Sequence, residues 1–495
     1  GDVYKRQDVD CKLLTHAHID HSGLIPLMYV NGFRGQVYST SATAQLCEIM
    51  LRDSAHIQMF EAEWRNRKAA RSGGKLKEFV PLYDMDAAVN VCKQFVGCEY
   101  DRVYDIAEGI KIRFTDVGHL LGSASIEVWA TEKTENGDVT EKIVFSGDIG
   151  NINKPIIKDP KHVRDADYVV MESTYGNRSH GGTPNYVEDL TDIFKRTFER
   201  GGNVVIPSFA VGRTQELLYI IRKIKEDNLV GRDFDVYMDS PLAIEATNIF
   251  IKNVESCFDD DAVELVRKGI NPLSFPGLKY ATTGDESKQI NFDPNPKVII
   301  SSSGMCEAGR IRHHLKHNLW RPECTIVFVG YQAVGTTGRI IVDGAEEIKL
   351  FGEPIQIKAE IVQLKGSSGH ADKDGLLCWI NAFDTKPKKV FVVHGEDSVC
   401  DEFTECLKEE YGYDAMAPYT GGSYDLIADR VISEGVKERK TRRTTSTQRG
   451  KTVFDRLVAA GKRLMTVITH NEGGTNKDLA KFTDQINALC DKWDR

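Results

Sequence analysis

Apolar residues occur along the chain in short runs that predict strands, each followed by a loop and a stretch with helical spacing. Such alternation is typical of a parallel sheet covered by helices. It is clearest in three consecutive strand–helix pairs, predicted over 203–206 and 214–225, 235–238 and 244–252, and 297–300 and 310–318.

The chain on either side of these pairs predicts a second mixed α/β region. Three helices are predicted before residue 100, one that ends at Met28 and two over 42–70 and 86–95. The predicted strands cover 11–15, 110–114, 125–130, 142–145 and 168–171, followed late in the chain by 361–364 and 389–393. The pattern therefore predicts an α/β protein.

Composition narrows the class of protein. The 495 residues suffice for two or three domains, and the apolar (41%) and charged (28%) fractions are those of a globular protein. No apolar run is long enough to span a membrane. The net charge of −9 excludes a global basic field, so binding of nucleic acid would depend on local groups. Eleven cysteines without a CxxC pair predict reduced thiols and a cytoplasmic protein.

The strongest chemical signal is the sequence THAHIDH at residues 15–21. His16, His18, Asp20 and His21 place three imidazoles and a carboxylate on a predicted strand-to-helix turn. These groups suit zinc or a similar metal. Because ligands this close cannot all reach one ion, we expect His16 and His18 on one metal and Asp20 and His21 on a second. The alternative is a buried, hydrogen-bonded polar turn.

Further candidate ligands follow apolar strands. The sequence GHLLGSA supplies His119, SGD supplies Asp148, and HGE supplies His394. Each alone would be an ordinary loop residue, but loops after strands are where α/β proteins gather functional groups. Asp148 could bridge two metals.

These motifs resemble those of the metallo-β-lactamase fold, and the region between them resembles the β-CASP insertion of nucleic-acid-processing members. The chain is thus similar to a family that includes the RNA endonuclease subunit of the cleavage and polyadenylation specificity factor and bacterial ribonucleases. The stretches that carry the β-CASP resemblance are PSFAVGR at 207–213, DSPLA at 239–243, SSGM at 302–305 with Gly309 and Arg310, and GYQ at 330–332 with GTTGR at 335–339.

The resemblance implies a metallo-β-lactamase αββα sandwich with an inserted α/β domain of mostly parallel sheet. The implied segments are the first part of the metallo-β-lactamase domain (8–176), the β-CASP insertion (177–365), the second part with the RNA-specificity segment (366–430), a basic linker (431–452) and a helical extension (453–495). We interpret residues 1–7 as translated sequencing-adapter DNA. The family's opening strands and first-motif aspartate are expected upstream of residue 8, so we expect weak or no activity from these 495 residues.

The resemblance also assigns roles. Two Zn²⁺ ions are implied, with Mn²⁺ as an alternative. Catalysis would involve Asp148, Glu172, which matches the first β-CASP motif, and His370, which matches the second as general acid. Glu172 would orient His370. The implied ligands are His16, His18 and His119 for one zinc, Asp20, His21 and His394 for the other, and Asp148 between them.

The implied function is hydrolysis of phosphodiester bonds in single-stranded RNA by a hydroxide activated by two metals, in RNA processing or decay. His394 matches the third β-CASP motif, where RNA-acting members carry histidine and the DNA-repair branch carries valine. A DNA-acting nuclease, a thioester or lactone hydrolase of the same fold, and a non-catalytic scaffold are the alternatives. Endonucleolytic or 5′-exonucleolytic action and a homodimer stay open.

Candidate groups for the RNA backbone lie at the turns before Thr214 and Arg310, where predicted helices begin, and in the stretch GTTGR at 335–339. They are Arg213, Ser303, Gly304, Arg310 and Arg339; the alternative for the arginines is structural ion pairing. His313, His314 and His317 share a predicted helix, and we expect a solvated face with one packed member. The linker contains seven basic residues over 437–451 against one glutamate, which favours a solvated connector over an RNA contact. Two amphipathic helices are predicted after it, with apolar positions at Val453, Leu457, Leu464 and Ile468, and at Leu479, Phe482, Ile486 and Leu489.

Overall fold

The structure, a computed structural model, describes residues 9–71, 78–135, 137–179, 181, 185–364, 368–436, 464–465, 467–469 and 476–493. The described residues up to Gly435 form one compact unit, and those from Val436 onward form another. Within this described part of the chain, no helix is both long and apolar enough to cross a membrane.

The described residues up to Glu172 form eight strands and four helices. The strands are β1 (Cys11–Leu13), β2 (Gln36–Thr40), β3 (Phe95–Cys98), β4 (Val103–Ala107), β5 (Ile110–Asp116), β6 (Ala124–Thr134), β7 (Gly137–Phe145) and β8 (Tyr168–Glu172). The helices are α1 (Ile19–Ser22), α2 (Ile25–Val30), α3 (Ser41–Arg71) and α4 (Met85–Cys92).

The helix predicted over 86–95 is wrong at its end. It stops at Cys92, and Phe95 starts β3, which pairs in parallel with β2 through Val37. Pairing with a neighbouring strand therefore overrides the helical spacing that continues past Cys92.

The segment from 186 to 363 alternates strands and helices as predicted. Its strands are β9 (Val204–Pro207), β10 (Asp235–Asp239), β11 (Leu278–Tyr280), β12 (Lys297–Ser301), β13 (Thr325–Phe328), β14 (Glu347–Leu350), β15 (Glu353–Gln356) and β16 (Glu360–Gln363). Its helices are α5 (Tyr186–Glu199), α6 (Arg213–Glu226), α7 (Pro241–Lys252), α8 (Val254–Cys257), α9 (Asp260–Arg267), α10 (Gly284–Phe292), α11 (Ile311–Asn318) and α12 (Thr337–Val342).

Six of these strands form one sheet in the order β11-β10-β12-β9-β13-β16, and every pairing in it is parallel. Its central strands β9, β12 and β13 are buried along their whole length, as the continuous apolar runs predict. The expectation of an α/β region with a mostly parallel sheet is confirmed. Because the strands are parallel, the loops that leave their carboxyl ends share one edge.

The last part of the first unit adds two strands to a sheet formed by the segment up to Glu172. Its elements are α13 (Lys373–Ile380), β17 (Lys389–Val393), α14 (Asp397–Glu409), β18 (Ala415–Met416), β19 (Ser423–Asp425) and β20 (Arg430–Ser433). The hairpin of β19 and β20 extends three residues beyond the boundary expected at residue 430.

A seven-stranded sheet has the order β18-β17-β8-β7-β6-β5-β4. Strands β7, β8 and β17 pair in parallel, and β5 runs in the same direction because β6 is antiparallel to both β5 and β7. The loops after β5, β7, β8 and β17 therefore leave one edge together. A third sheet, β1-β2-β3, joins this edge through a hydrogen bond from Ala124 N to the Thr15 carbonyl.

The second unit contains one long described helix, α15 (Asn476–Trp493). It includes Leu479, Phe482, Ile486 and Leu489, at which an amphipathic helix was expected. Val453, Leu457 and most of the basic linker lie outside the described residues, as do residues 1–7.

Candidate metal centre and catalytic site

The first candidate ligands lie on the turn between β1 and α1. His18 immediately precedes α1, and Ser22 Oγ donates hydrogen bonds to the carbonyls of Ala17 (2.8 Å) and His18 (3.0 Å). These bonds fix the turn in a compact shape. His16 is completely buried in it.

Gly147 allows the loop after β7 to approach this turn closely. Its φ is +61°, and a Cβ there would lie 2.9 Å from Thr15 Cβ and 2.9 Å from the Ala124 carbonyl oxygen. A side chain would therefore be strained and would push the loop away from the turn. The glycine of the SGD motif thus brings Asp148 against the histidines.

Four side-chain atoms from three loops form a first ligand set: His16 Nε2, His18 Nδ1, His119 Nε2 and Asp148 Oδ2. The His16 and His119 nitrogens each lie 3.1 Å from His18 Nδ1. They lie 3.3 and 3.7 Å from Asp148 Oδ2. Ligands bound about 2.0–2.1 Å from a tetrahedral zinc ion are roughly 3.3–3.4 Å apart. The spacing of the set therefore suits zinc.

A second set contains Asp20 Oδ2, His21 Nε2, His394 Nε2 and Asp148 Oδ1. The two histidine nitrogens are 3.1 Å apart, and Asp20 Oδ2 lies 3.8 Å from His21 and 3.6 Å from His394. Asp148 Oδ1 lies 3.3 Å from His21 Nε2 and 3.7 Å from His394 Nε2. The structure thus brings all seven expected ligands together in two sets.

Asp148 lies between the two sets, with one carboxylate oxygen facing each. Burial by itself would raise the pKa of Asp148, but the adjacent His16 and His21 imidazoles hold that pKa well below its usual range. Its Oδ1 is buried and makes no hydrogen bond within the described structure. An ionised, buried oxygen without such a bond fits a cation ligand.

The imidazoles of the first set have the protonation state that metal binding requires. Burial lowers the pKa of His16, lowers that of His18 to about 3, and lowers that of His119 well below the usual range. Neutral imidazole is the form that coordinates metals. In the second set, a hydrogen bond with Asp20 raises the pKa of His394 to about 9, so the proton occupies the position that a cation would take. The residues therefore fit zinc.

Three groups outside the predicted set orient these imidazoles. The Gly369 carbonyl accepts a hydrogen bond from His119 Nδ1 (3.2 Å), which leaves the Nε2 lone pair facing the ligand set. Thr15 Oγ1 lies 3.2 Å from His16 Nδ1, and Thr174 Oγ1 lies 3.2 Å from His394 Nδ1. Such contacts fix the tautomer and direction of a metal-binding histidine. Adjacency to the motifs was the only sequence signal for these three residues.

His370 and Glu172 form a dyad beside the ligand sets. His370 Nδ1 lies 3.1 Å from both Glu172 carboxylate oxygens, and His370 Nε2 lies 3.9 Å from Asp148 Oδ2. Glu172 is buried and also accepts hydrogen bonds from Ile149 N (2.6 Å) and Thr174 N (3.3 Å). Burial would lower the pKa of His370, but the Glu172 carboxylate outweighs burial and raises that pKa.

This arrangement suits proton transfer better than metal binding. Asp148, Glu172 and His370 could by spacing form a third ligand group. However, the Glu172 oxygens are already occupied by His370 and two backbone amides, so they are poorly placed to coordinate. His370 Nε2 faces Asp148 and belongs to neither tetrahedral set.

The arginines expected at the RNA backbone already have ion-pair partners. Arg213 pairs with Glu216, and Arg339 makes two bonds with Asp343, of 2.8 and 2.9 Å. Arg310 pairs with Asp239 at 2.7 Å and also donates hydrogen bonds to the carbonyls of Ala281 and Thr282. These are the structural ion pairs that the sequence left open as the alternative.

Ser303 and Gly304 follow β12 at the carboxyl edge of the parallel sheet. Phe209 lies at the same edge, and the sequence analysis did not predict it as a site residue. Phe209 is 46% exposed although it lies only two residues after the buried strand β9. A Cβ on Gly304 would lie 3.1 Å from the Phe209 ring, and one on Gly330 would lie 3.9 Å away. The ring therefore rests against bare backbone. The sequence analysis identified the stretch PSFAVGR that contains Phe209, but nothing in the sequence indicates that the ring is partly exposed.

The three histidines of α11 play no part in these sets. His314 is buried and bonds Asp239 (2.6 Å) and Asn291 (3.0 Å). His313 stacks on Phe351, and His317 contacts Phe292. The expected single packed member is therefore His314.

Comparisons with known proteins agree with this geometry. Residues 214–341 match the Beta-Casp domain, and residues 354–418 match the Zn-dependent metallo-hydrolase RNA specificity domain. The chain is 34% identical over 391 residues to Ribonuclease TTHA0252 of Thermus thermophilus, a match that covers 79% of this chain and 82% of the relative. It is 31% identical over 402 residues to an RNase J-like protein of Methanocaldococcus jannaschii, covering 80% and 84%.

A longer relative is the transcription termination factor FttA of Methanosarcina mazei. It is 32% identical over 426 residues, which cover 84% of this chain and 63% of that protein. The identity and coverage of these matches, together with the two domain matches, establish the family. This chain belongs to the β-CASP family of metal-dependent nucleases with the metallo-β-lactamase fold.

Proposed function

We propose that this protein hydrolyses phosphodiester bonds of single-stranded RNA, using two zinc ions that share Asp148. The observation that carries the proposal is the position of that carboxylate: its Oδ2 faces His16 and His119, and its Oδ1 faces His21 and His394. A bridging carboxylate between two ligand sets is what a two-metal hydrolase requires.

The names of the relatives favour RNA over DNA as substrate. Two relatives are named as a ribonuclease and an RNase J-like protein, and residues 354–418 match a domain described as conferring RNA specificity. His394 supports the same choice through the resemblance described above. A role in RNA processing or decay follows as part of the proposal.

The residues of the site have separate tasks in this reaction. A bound metal pair supplies Lewis acidity at a phosphoryl oxygen and makes water a better nucleophile near neutral pH. The Asp148 carboxylate lies between the two ligand sets and fixes their relative positions. The buried Glu172 fixes the orientation of the His370 ring. His370 Nε2 then donates a proton to the departing ribose oxygen. The products would be a 5′-phosphate and a 3′-hydroxyl.

The test compares substrates under one set of conditions. Internally and 5′-labelled single-stranded RNA, single-stranded DNA of the same sequence, and a generic thioester are incubated with protein and zinc, with and without chelator. Cleavage of RNA alone, abolished by chelator, is expected. Equal cleavage of RNA and DNA would contradict the substrate assignment, and thioester hydrolysis alone would contradict nuclease action.

Replacing Glu172 by glutamine is expected to slow turnover by roughly 10- to 100-fold without releasing zinc. The amide keeps the shape of the side chain but loses the charge that orients His370 and keeps it protonated. Steady-state kinetics and metal analysis check this, with Glu409→Gln on the exposed face of α14 as control. Loss of zinc in parallel with turnover would assign Glu172 to the metal centre instead.

Replacing Phe209 by alanine is expected to raise KM for RNA roughly tenfold, since an exposed aromatic ring can stack on a base. The Phe209→Trp variant is expected to keep the parent KM, and zinc content should not change. The control is Phe292→Ala, an exposed ring at the end of α10 that lies toward the amino edge of the same sheet. An unchanged KM in Phe209→Ala would remove this residue from the RNA path.

A further inference from the structure

A buried lysine outside both ligand sets contacts the loop that carries His119. Lys154 lies in the stretch after Asp148, and its ammonium donates a hydrogen bond of 3.0 Å to the His119 carbonyl oxygen. The same ammonium pairs with Glu216 Oε1 at 3.2 Å. Only 11% of the Lys154 side chain and 9% of the Glu216 side chain are exposed. A buried pair in direct contact with a ligand-bearing loop is not explained by the chemistry above.

The two partners come from different parts of the chain. Lys154 belongs to the segment before the β-CASP region, whereas Glu216 lies in the first turn of α6 within that region. Glu216 also accepts a hydrogen bond from Arg213. Next to them, Gly212 approaches Leu120 so closely that a Cβ there would lie 3.0 Å from Leu120 Cδ1. The start of α6 is thus packed directly onto the residue that follows His119.

His119 is therefore held from two sides. Its imidazole donates to the Gly369 carbonyl, and its own backbone carbonyl accepts from Lys154. A Cβ on Gly369 would lie 4.0 Å from the Lys154 ammonium, so the two supports are adjacent. His119 is the one ligand of its loop, and the first set has no substitute for it among the described residues.

The charges make this support depend on both partners. A buried ammonium is costly without a counter-charge, and breaking a buried pair leaves the other group uncompensated. If Glu216 lost its charge, Lys154 would tend to withdraw toward solvent, and the His119 carbonyl would lose its donor. Residues that support ligands in this way typically change metal affinity by about 10–100-fold.

We propose that Lys154 and Glu216 are positioning residues that make zinc affinity at the first ligand set depend on the docking of α6. The inserted region would thereby strengthen metal binding at the first ligand set. The inference rests on the metal-binding part of the proposed function, and its test uses zinc affinity, so it does not require RNA cleavage.

The experiment measures zinc affinity by competition with a chromophoric chelator in two backgrounds of the full chain. In His394→Ala, which weakens the second set, the ion of the first set is followed. In His18→Ala, which weakens the first set, the ion of the second set is followed. Each background carries Lys154→Met, Glu216→Gln, or both. Lys161→Met is the control, because Lys161 pairs with the exposed Asp101 and does not contact His119.

In the His394→Ala background, each single substitution is expected to weaken zinc binding about 10-fold or more. The double variant is expected to bind zinc no more weakly than the single variant with the larger loss of affinity. In the His18→Ala background, affinity is expected to stay within about twofold. Glu216→Gln keeps the side-chain shape, so it carries the test if Lys154→Met does not fold.

Three results would overturn the proposal. One is unchanged affinity of the first set in variants whose melting temperature falls, which would indicate a merely structural pair. Another is an equal loss of zinc affinity at both ligand sets. The third is a loss in the double variant that equals the sum of the two single losses in binding free energy. A parent chain that binds no zinc at all would instead contradict the proposed function, so the two failures are distinguishable.

Discussion

An Asp148→Asn variant is expected to lose at least one zinc ion per chain and to cleave RNA more than about 100-fold more slowly than the parent. That factor is the upper range for residues that only support ligands, and Asp148 is expected to be a ligand itself. The amide has one oxygen for two facing ligand sets and places an N–H group toward the other set. The amide also lacks the negative charge that would offset a bound cation in this buried site.

Metal content is measured by mass spectrometry after gel filtration, and rates are measured on labelled RNA. Asp101→Asn is the matched control, because Asp101 pairs with Lys161 at the surface and contacts no ligand. Unaltered zinc stoichiometry in Asp148→Asn would exclude a bridging carboxylate, whatever the effect on rate.

A His370→Ala variant is expected to reduce turnover by roughly 10²–10⁴-fold, the range typical of a lost general acid, while zinc content stays at the parent level. His370 Nε2 lies beside Asp148 but outside both tetrahedral sets, so its removal leaves every predicted ligand in place. His317→Ala, on the surface of α11, is the control.

The leaving group separates acid catalysis from other roles of His370. Bis(4-nitrophenyl) phosphate releases a stable anion that needs no proton, so the deficit of His370→Ala is expected to shrink greatly on this substrate. An equal deficit on both substrates, or loss of zinc with the histidine, would contradict its assignment as the acid.

The sequence predicted most of the site because ligand chemistry is local. Three histidines and an aspartate within residues 16–21 predict metal ligands from their spacing, and the ends of strands indicate the other candidate ligands. The shared edge of β5, β7, β8 and β17 then brings the nominated residues together, as parallel strand direction requires.

What the sequence could not predict depends on tertiary contacts between distant segments. Nothing near Lys154 in the chain indicates that it reaches His119 and Glu216, and Gly369 accepts its hydrogen bond from His119 through a backbone carbonyl only. Exposure of Phe209 likewise depends on glycines that follow other strands. The misplaced end of α4 has the same origin, because pairing of Phe95 with β2 is a long-range event.

The most direct test of the account is a crystal structure of the zinc-loaded protein with data collected above and below the zinc absorption edge. We predict two anomalous peaks about 3.5–4 Å apart, each next to a different carboxylate oxygen of Asp148. We expect His370 to coordinate neither zinc ion. A single peak, or two peaks of which one coordinates His370 in place of His394, would contradict it.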